Sequence, residues 1–115
     1  MRIEIVGRNV EVSEDLREHI HKRFRPVSRQ VSDLATLDVV LREEANPSIP
    51  EKEVAEATLH LKGVTLHAAE SAETMHRAVR ALAADIKRQV KRHRELRRKR
   101  SRTRRLLGGS RRTPA

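Results

Sequence analysis

Residues 71–100 read SAETMHRAVRALAADIKRQVKRHRELRRKR, and the reading of this stretch decides the fold. Ser71 is a candidate helix cap, followed by Ala72, Glu73, Thr74 and Met75. From there Met75, Val79, Leu82, Ile86 and Val90 recur at helical spacing and share one sector at 100° per residue. Arg77, Arg80, Lys87, Lys91, Arg94 and Arg98 fall roughly opposite as one stripe, widened by Arg88 and Arg92. No Gly or Pro interrupts the run before Gly108. A helix of this kind holds a core with one face and a polyanion with the other, so the rest of the chain is expected to be a small frame that presents it.

Upstream of this helix the apolar pattern switches to a period of two. Val64 to Ala69 predicts a strand with Val64, Leu66 and Ala68 inward and Thr65 and His67 outward. Lys62-Gly63 is a tight turn, and before it Glu53 to Leu61 turns Ala55, Ala57, Leu59 and Leu61 inward. Residues 36–43 alternate with Leu37, Val39 and Leu41 on one face, and Glu43 to Pro50, with two prolines, is a long loop. At the start of the chain, residues 2–7 form a strand that turns Ile3 and Ile5 one way and ends at Gly7-Arg8-Asn9. Ser13 then caps a helix with Glu14 and Asp15 in its first turn and Leu16, Ile20, Phe24 and Val27 on its apolar face. Pro26 is expected to break the helix near Arg25, or to kink it so that it resumes through Val31.

The order β-α-β-β-β-α predicts an α/β (α+β) fold with a four-stranded mixed sheet. The first helix is long enough for a crossover, which pairs the first strand in parallel with a neighbour, while the other three strands form a meander. Both helices are expected on the one buried sheet face, a frame like that of double-stranded-RNA-binding domains. The expected core is Ile3, Ile5, Leu16, Ile20, Phe24, Leu37, Val39, Leu41, Leu59, Leu66, Met75, Val79, Leu82, Ile86 and Val90.

Charge says more than size. The 115 residues suffice for one domain, expected over residues 1–96, with 97–115 a basic tail lacking fixed structure, Gly108 to Pro114 included. Net charge is +10, but residues 1–70 carry −3 and residues 71–115 carry +13. A cationic half on a mildly acidic body points to a phosphate backbone as partner. Membrane binding is disfavoured, since Phe24 is the only aromatic and no large apolar residue is spare for insertion. The absence of Cys excludes disulfides, thiolate metal sites and a cysteine nucleophile. With no signal-like apolar segment at the start and no stretch of transmembrane length, a cytoplasmic protein is expected.

No catalytic constellation stands out. His60 and His67 lie on the outer face of adjacent strands and lack an obvious third ligand, which favours a solvated pair over a metal site. His19 and His21 do not face each other on a helix, and His76 and His93 flank the apolar stripe. The four glycines are scattered, so no phosphate-cradling loop exists. No cofactor, metal or small-molecule substrate is expected. The strands lack the exposed aromatics that sheet-based RNA readers stack bases on, and finger ligands and G-x-x-G clamps are missing. Backbone recognition by the cationic helix remains, salt-sensitive and poor at reading sequence.

Three segments, taken in order, resemble one family. GRNVEVSEDLR at 7–17, ATLHLKGVTLHA at 57–68, and residues 69–94 with MHRAV and RQVKRHR resemble the ribosome hibernation-promoting factors, also known as the ribosome-associated translation inhibitor or sigma-54 modulation family. The resemblance covers residues 2–96 and implies the same β-α-β-β-β-α fold. It implies a non-enzymatic protein that binds the small ribosomal subunit (30S) and the 70S ribosome in the messenger and transfer RNA channel near the decoding centre. The second helix would lie on 16S ribosomal RNA. Carried onto this chain, the contacts would be Arg80, Lys87, Arg88, Lys91, Arg92 and Arg94, continued by Arg98, with Arg8 and Asn9 at the first turn. Two positions depart from the family pattern: His76 stands where an aromatic is common, and Asp85 where Lys is common. The length implies a short-form member, without the second domain of long members. The general alternative is an RNA- or DNA-binding protein that uses the same helix.

Overall fold

The computed structural model describes residues 1–46 and 48–111, the side chains of 107–111 excepted. The element order is β1 (Arg2–Arg8), α1 (Glu14–Ser28), β2 (Thr36–Glu43), β3 (Glu53–Leu61), β4 (Val64–Ala72) and α2 (Met75–Arg111). The four strands form one sheet in the order β1-β2-β3-β4. β1 runs parallel to β2, with Ile3 opposite Leu37 and Ile5 opposite Val39. β2–β3 and β3–β4 are antiparallel, with Leu37 opposite Leu59 and Leu59 opposite Leu66. The expected mixed sheet is therefore present, and the α1 crossover supplies its parallel pair.

One layer of side chains joins the sheet to both helices. Leu16, Ile20, Phe24 and Val27 of α1 meet Leu37, Val39, Leu41 and Leu59 of the sheet and Val79, Leu82, Ile86 and Val90 of α2. Ile3, Ile5, Leu66 and Met75, expected in the core, are only partly buried and pack at its rim. The converse surprise is a set of alanines. Ala55, Ala57 and Ala68 on the sheet and Ala78 and Ala83 on α2 are all buried. Small side chains on both sides let a helix lie close to the sheet it packs on, and α2 packs on β3 and β4.

Three local details differ from the sequence reading. α1 does not stop at Arg25 and does not reach Val31; it runs through Pro26 to Ser28. In the last turn Pro26 forfeits only the bond its nitrogen would give to Lys22, and the buried Val27 holds the turn against the core. Ser71 is not a helix cap. It lies in β4 opposite Val54, because pairing with the long β3 extends the strand past its own weak propensity. Thr74 caps α2 instead, its Oγ1 accepting from the Arg77 amide at 3.2 Å. Finally, α2 continues as helix from Arg97 through Arg111, where a tail without fixed structure was expected. Residues 112–115 of that tail lie outside the described residues. Ser13, by contrast, caps α1 as expected, accepting from the Leu16 amide at 3.1 Å.

Two polar latches set α2 on the body. At its start, His76 Nε2 donates to Asp15 Oδ2 at 3.0 Å and His19 Nε2 donates to the His76 carbonyl at 3.1 Å, tying α2 to the first turns of α1. Burial is the main cause that holds the His19 imidazole below its usual value, so the folded state favours its neutral form. Midway along α2, Gln89 Nε2 donates to the His67 carbonyl of β4 at 2.9 Å.

Gly7, where β1 turns toward α1, is required by close approach. A Cβ there would collide with the Val10 carbonyl oxygen and press on Val12. Next but one, Asn9 takes a left-handed φ of 57°, which Asn tolerates better than most residues. Gly7→Ala is expected to destabilise the fold by about 1–3 kcal/mol, read as a lower urea midpoint at unchanged m-value. An unchanged midpoint would mean that the turn relaxes freely.

Candidate nucleic-acid interface

The face of α2 turned away from the core carries the cations. Ala78, Val79, Leu82, Ala83, Ile86 and Val90 are buried, which fixes the rotation of the helix. With that rotation Arg77, Arg80, Lys87, Lys91, Arg92, Arg94 and Arg98 all stand exposed. At 1.5 Å rise per residue the stripe from Arg80 to Arg98 is about 27 Å long. Hydrophobic burial on one side thus holds a row of charges rigidly on the other.

The stripe is not uniform. Arg88 donates from Nη2 to Asp85 Oδ1 at 3.0 Å, and Gln89 Nε2 reaches the same oxygen at 3.2 Å. Asp85 is therefore committed to its neighbours, and Arg88 is a partly neutralised member of the set. Among the described residues the ion pairs involve none of Lys87, Lys91, Arg92, Arg94 or Arg98, so those charges face solvent unpaired. Unpaired exposed cations are the ones that exchange counterions for phosphates.

Arg8 and Asn9 are exposed too, but at the end of β1. That strand is the sheet edge opposite β4, whereas α2 packs on β3 and β4. The structure does not bring them into the α2 stripe. The outer histidines also separate: His60 bonds to Asp38 Oδ2 at 3.0 Å and His67 to Thr58 Oγ1 at 3.1 Å. Among the described residues no group of three or more His, Cys, Asp or Glu side chains could hold a metal ion, and no helix is long and apolar enough to cross a membrane.

The cluster of Glu70, Asp85, Arg88 and Gln89 between β4 and α2 escaped the sequence reading, apart from Asp85 as a departure and Arg88 as a contact. Its sequence signals are the i, i+3 spacing of Asp85 and Arg88 and the i, i+4 spacing of Asp85 and Gln89; the partner, Glu70, comes from another element. Burial, and then the charge and contact of Asp85, push the Glu70 carboxyl above its usual 4.5, against a smaller opposing pull from Arg88. The folded state therefore holds this proton more tightly than the unfolded chain does. Glu70 costs stability at neutral pH, and the cost fades as pH falls through the raised value toward 4.5. Glu70→Gln should raise the melting temperature at pH 7 by about 2 °C, with the gain closing in acid. A gain that persists undiminished at low pH would contradict this origin.

Comparison with known proteins agrees with the geometry. The family model described as Sigma 54 modulation protein / S30EA ribosomal protein matches residues 3–98. The Ribosome hibernation promoting factor of Salmonella typhimurium is 32% identical over 95 residues, covering 83% of this chain and 95% of that protein. Among solved structures, the Thermus thermophilus Protein Y N-terminal domain superposes with a TM-score of 0.70 at 24% identity, over 81% of this chain and 99% of that one. A ribosomal subunit interface protein from Coxiella burnetii gives 0.68 at 21% identity, over 83% and 99%. These two establish likeness of fold. On the family match and the Salmonella relative together, the chain belongs to the Sigma 54 modulation protein / S30EA ribosomal protein family.

Proposed function

We propose that this protein is a non-enzymatic, ribosome-associated translation inhibitor of the hibernation type, acting in the cytoplasm. It binds the small ribosomal subunit, alone or within the 70S ribosome, near the decoding centre in the messenger and transfer RNA channel. There it silences or protects idle ribosomes. The observation that carries this reading is the unpaired cationic stripe of α2, held rigid by a buried apolar face, in a chain of this family. The name of the Salmonella relative, a hibernation promoting factor, supports it.

In this reading Arg80, Lys87, Lys91, Arg92, Arg94 and Arg98 contact phosphates of 16S ribosomal RNA, with Arg88 weakened by Asp85. Arg8 and Asn9 make a separate, smaller contact from the far sheet edge. The frame of two helices on one sheet face resembles double-stranded-RNA-binding domains, which read phosphates and shape in preference to bases. Residues 1–96 form the binding domain. The same stripe also suits a general RNA- or DNA-binding protein, and the two readings separate in one experiment. Sedimentation with purified ribosomes, beside translation of a reporter, should show the chain pelleting with small subunits and vacant ribosomes and blocking translation. A chain that binds free duplexes equally well and leaves translation intact is a general binder.

A further inference from the structure

Beyond Val90 the core-facing line of α2 changes character. Heptad steps carry Val90 to Arg97 and Arg104, and Ile86 to His93 and Arg100. The sector that was apolar thus becomes arginine. The outward line continues unchanged, from Lys91 to Arg98 and Arg105, with Arg102 beside it. Seven of the nine residues from Arg97 to Arg105 are Arg or Lys, all nine are exposed, and the only acid after Asp85 is Glu95.

A protein partner for this segment would need an apolar seam, and there is none. Leu96, Leu106 and Leu107 are its only large apolar residues, and about three helical turns of charged residues separate Leu96 from the other two, so no continuous seam forms. The cations fall in two sectors about 130° apart, Arg97, Arg100 and Arg104 in one and Arg98, Arg102 and Arg105 in the other. At the centre stands Ser101, whose neighbours three and four residues away in both directions are Arg97, Arg98, Arg104 and Arg105. The shallow grooves along this part of the helix all include Ser101: one flanks it with Arg97, Arg100 and Arg104, a second with Arg98, Arg102 and Arg105, and a third joins Arg97 to Arg98. A surface that binds one backbone needs one cationic face. Cations on two faces match phosphates on two sides.

We infer that residues 97–105 are a second RNA-contacting element, which lies between two sugar–phosphate backbones of folded RNA with Ser101 at a phosphate seat. The element extends past residue 98, where the family match ends. The inference rests on the RNA-binding reading above. It differs from that reading in requiring the inner line Arg97, Arg100 and Arg104, which a helix lying along one backbone leaves in solvent. It also explains how a helix of like charges is held, since phosphates on both sides relieve repulsion that water only screens.

The test compares two triple variants of the full chain, Arg97→Gln/Arg100→Gln/Arg104→Gln and Arg98→Gln/Arg102→Gln/Arg105→Gln. Gln keeps helix propensity close to that of Arg. Affinity for purified small subunits is measured across a salt series. Both variants are expected to lower the slope of log affinity against log salt by about two to three relative to wild type. An inner-line variant that keeps the wild-type slope, whether or not the outer-line variant loses it, overturns the two-sided contact. Wild-type chain that fails to bind small subunits overturns the ribosome reading itself, and that result is visible before any variant is compared.

Discussion

Replacing Lys87, Lys91 and Arg94 together with Ala is expected to weaken binding to the small ribosomal subunit by roughly 100-fold near physiological salt. Each of the three is exposed and free of ion pairs among the described residues. Each phosphate neutralised releases condensed counterions, so three lost contacts also flatten the salt dependence by a slope of about 2–3. Translation of a reporter should recover in parallel. Because the side chains touch nothing in the core and Ala favours helix, the thermal melt should stay within about 0.5 kcal/mol of wild type. The effect then belongs to the surface and not to the fold. A salt slope that stays at the wild-type value would mean that these cations do not meet phosphate.

Phe24→Ala should act in the opposite way, on the fold first. Phe24 is the only aromatic in the chain, is fully buried, and belongs to the core cluster that joins α1, the sheet and α2. Truncating such a side chain costs about 3–5 kcal/mol in lost transfer energy and cavity. A domain of this size has roughly 5–10 kcal/mol to lose, so the variant should be partly unfolded at 37 °C. Ribosome binding should fall with the folded fraction and return when the sample is cooled. Loss of less than about 1 kcal/mol on urea unfolding would show that the core closes around the gap.

Much of this architecture is legible in the residues. Alternation in β2 and β3 placed their ends where the structure has them, because one face is buried and the other wet. The helical period of Val79, Leu82, Ile86 and Val90 fixed which way the cations of α2 face. What was not legible depends on contacts between elements. Ser71 looks like a cap from its local chemistry, yet Val54 across the ladder makes it a strand residue. Ala55, Ala57, Ala68, Ala78 and Ala83 are weak apolar signals singly, and only the close packing of α2 on the sheet makes them core. Pro26 is a helix breaker by rule, but its cost is small in a last turn anchored by Val27.

The site divides along the same line. That α2 presents the cationic stripe proposed as the interface follows from its own sequence. That Arg88 is partly neutralised follows from an i, i+3 pair with Asp85, but the placement of that pair beside Glu70 needs β4. The placement of Arg8 and Asn9 at the far edge of the sheet needs the strand order. A single footprint that includes both regions would have to wrap around the sheet, whereas the α2 stripe is continuous by itself.

The most direct test of the central claim is competition on the small subunit. Purified subunits would be loaded with a labelled messenger RNA and titrated with the chain, with the bound fraction of each followed by sedimentation. If α2 occupies the messenger channel, each ligand displaces the other, and the Lys87/Lys91/Arg94→Ala variant displaces messenger only at far higher concentration. If chain and messenger bind the same subunit together without mutual loss, the stripe lies elsewhere on the ribosome and the silencing mechanism proposed for it is wrong.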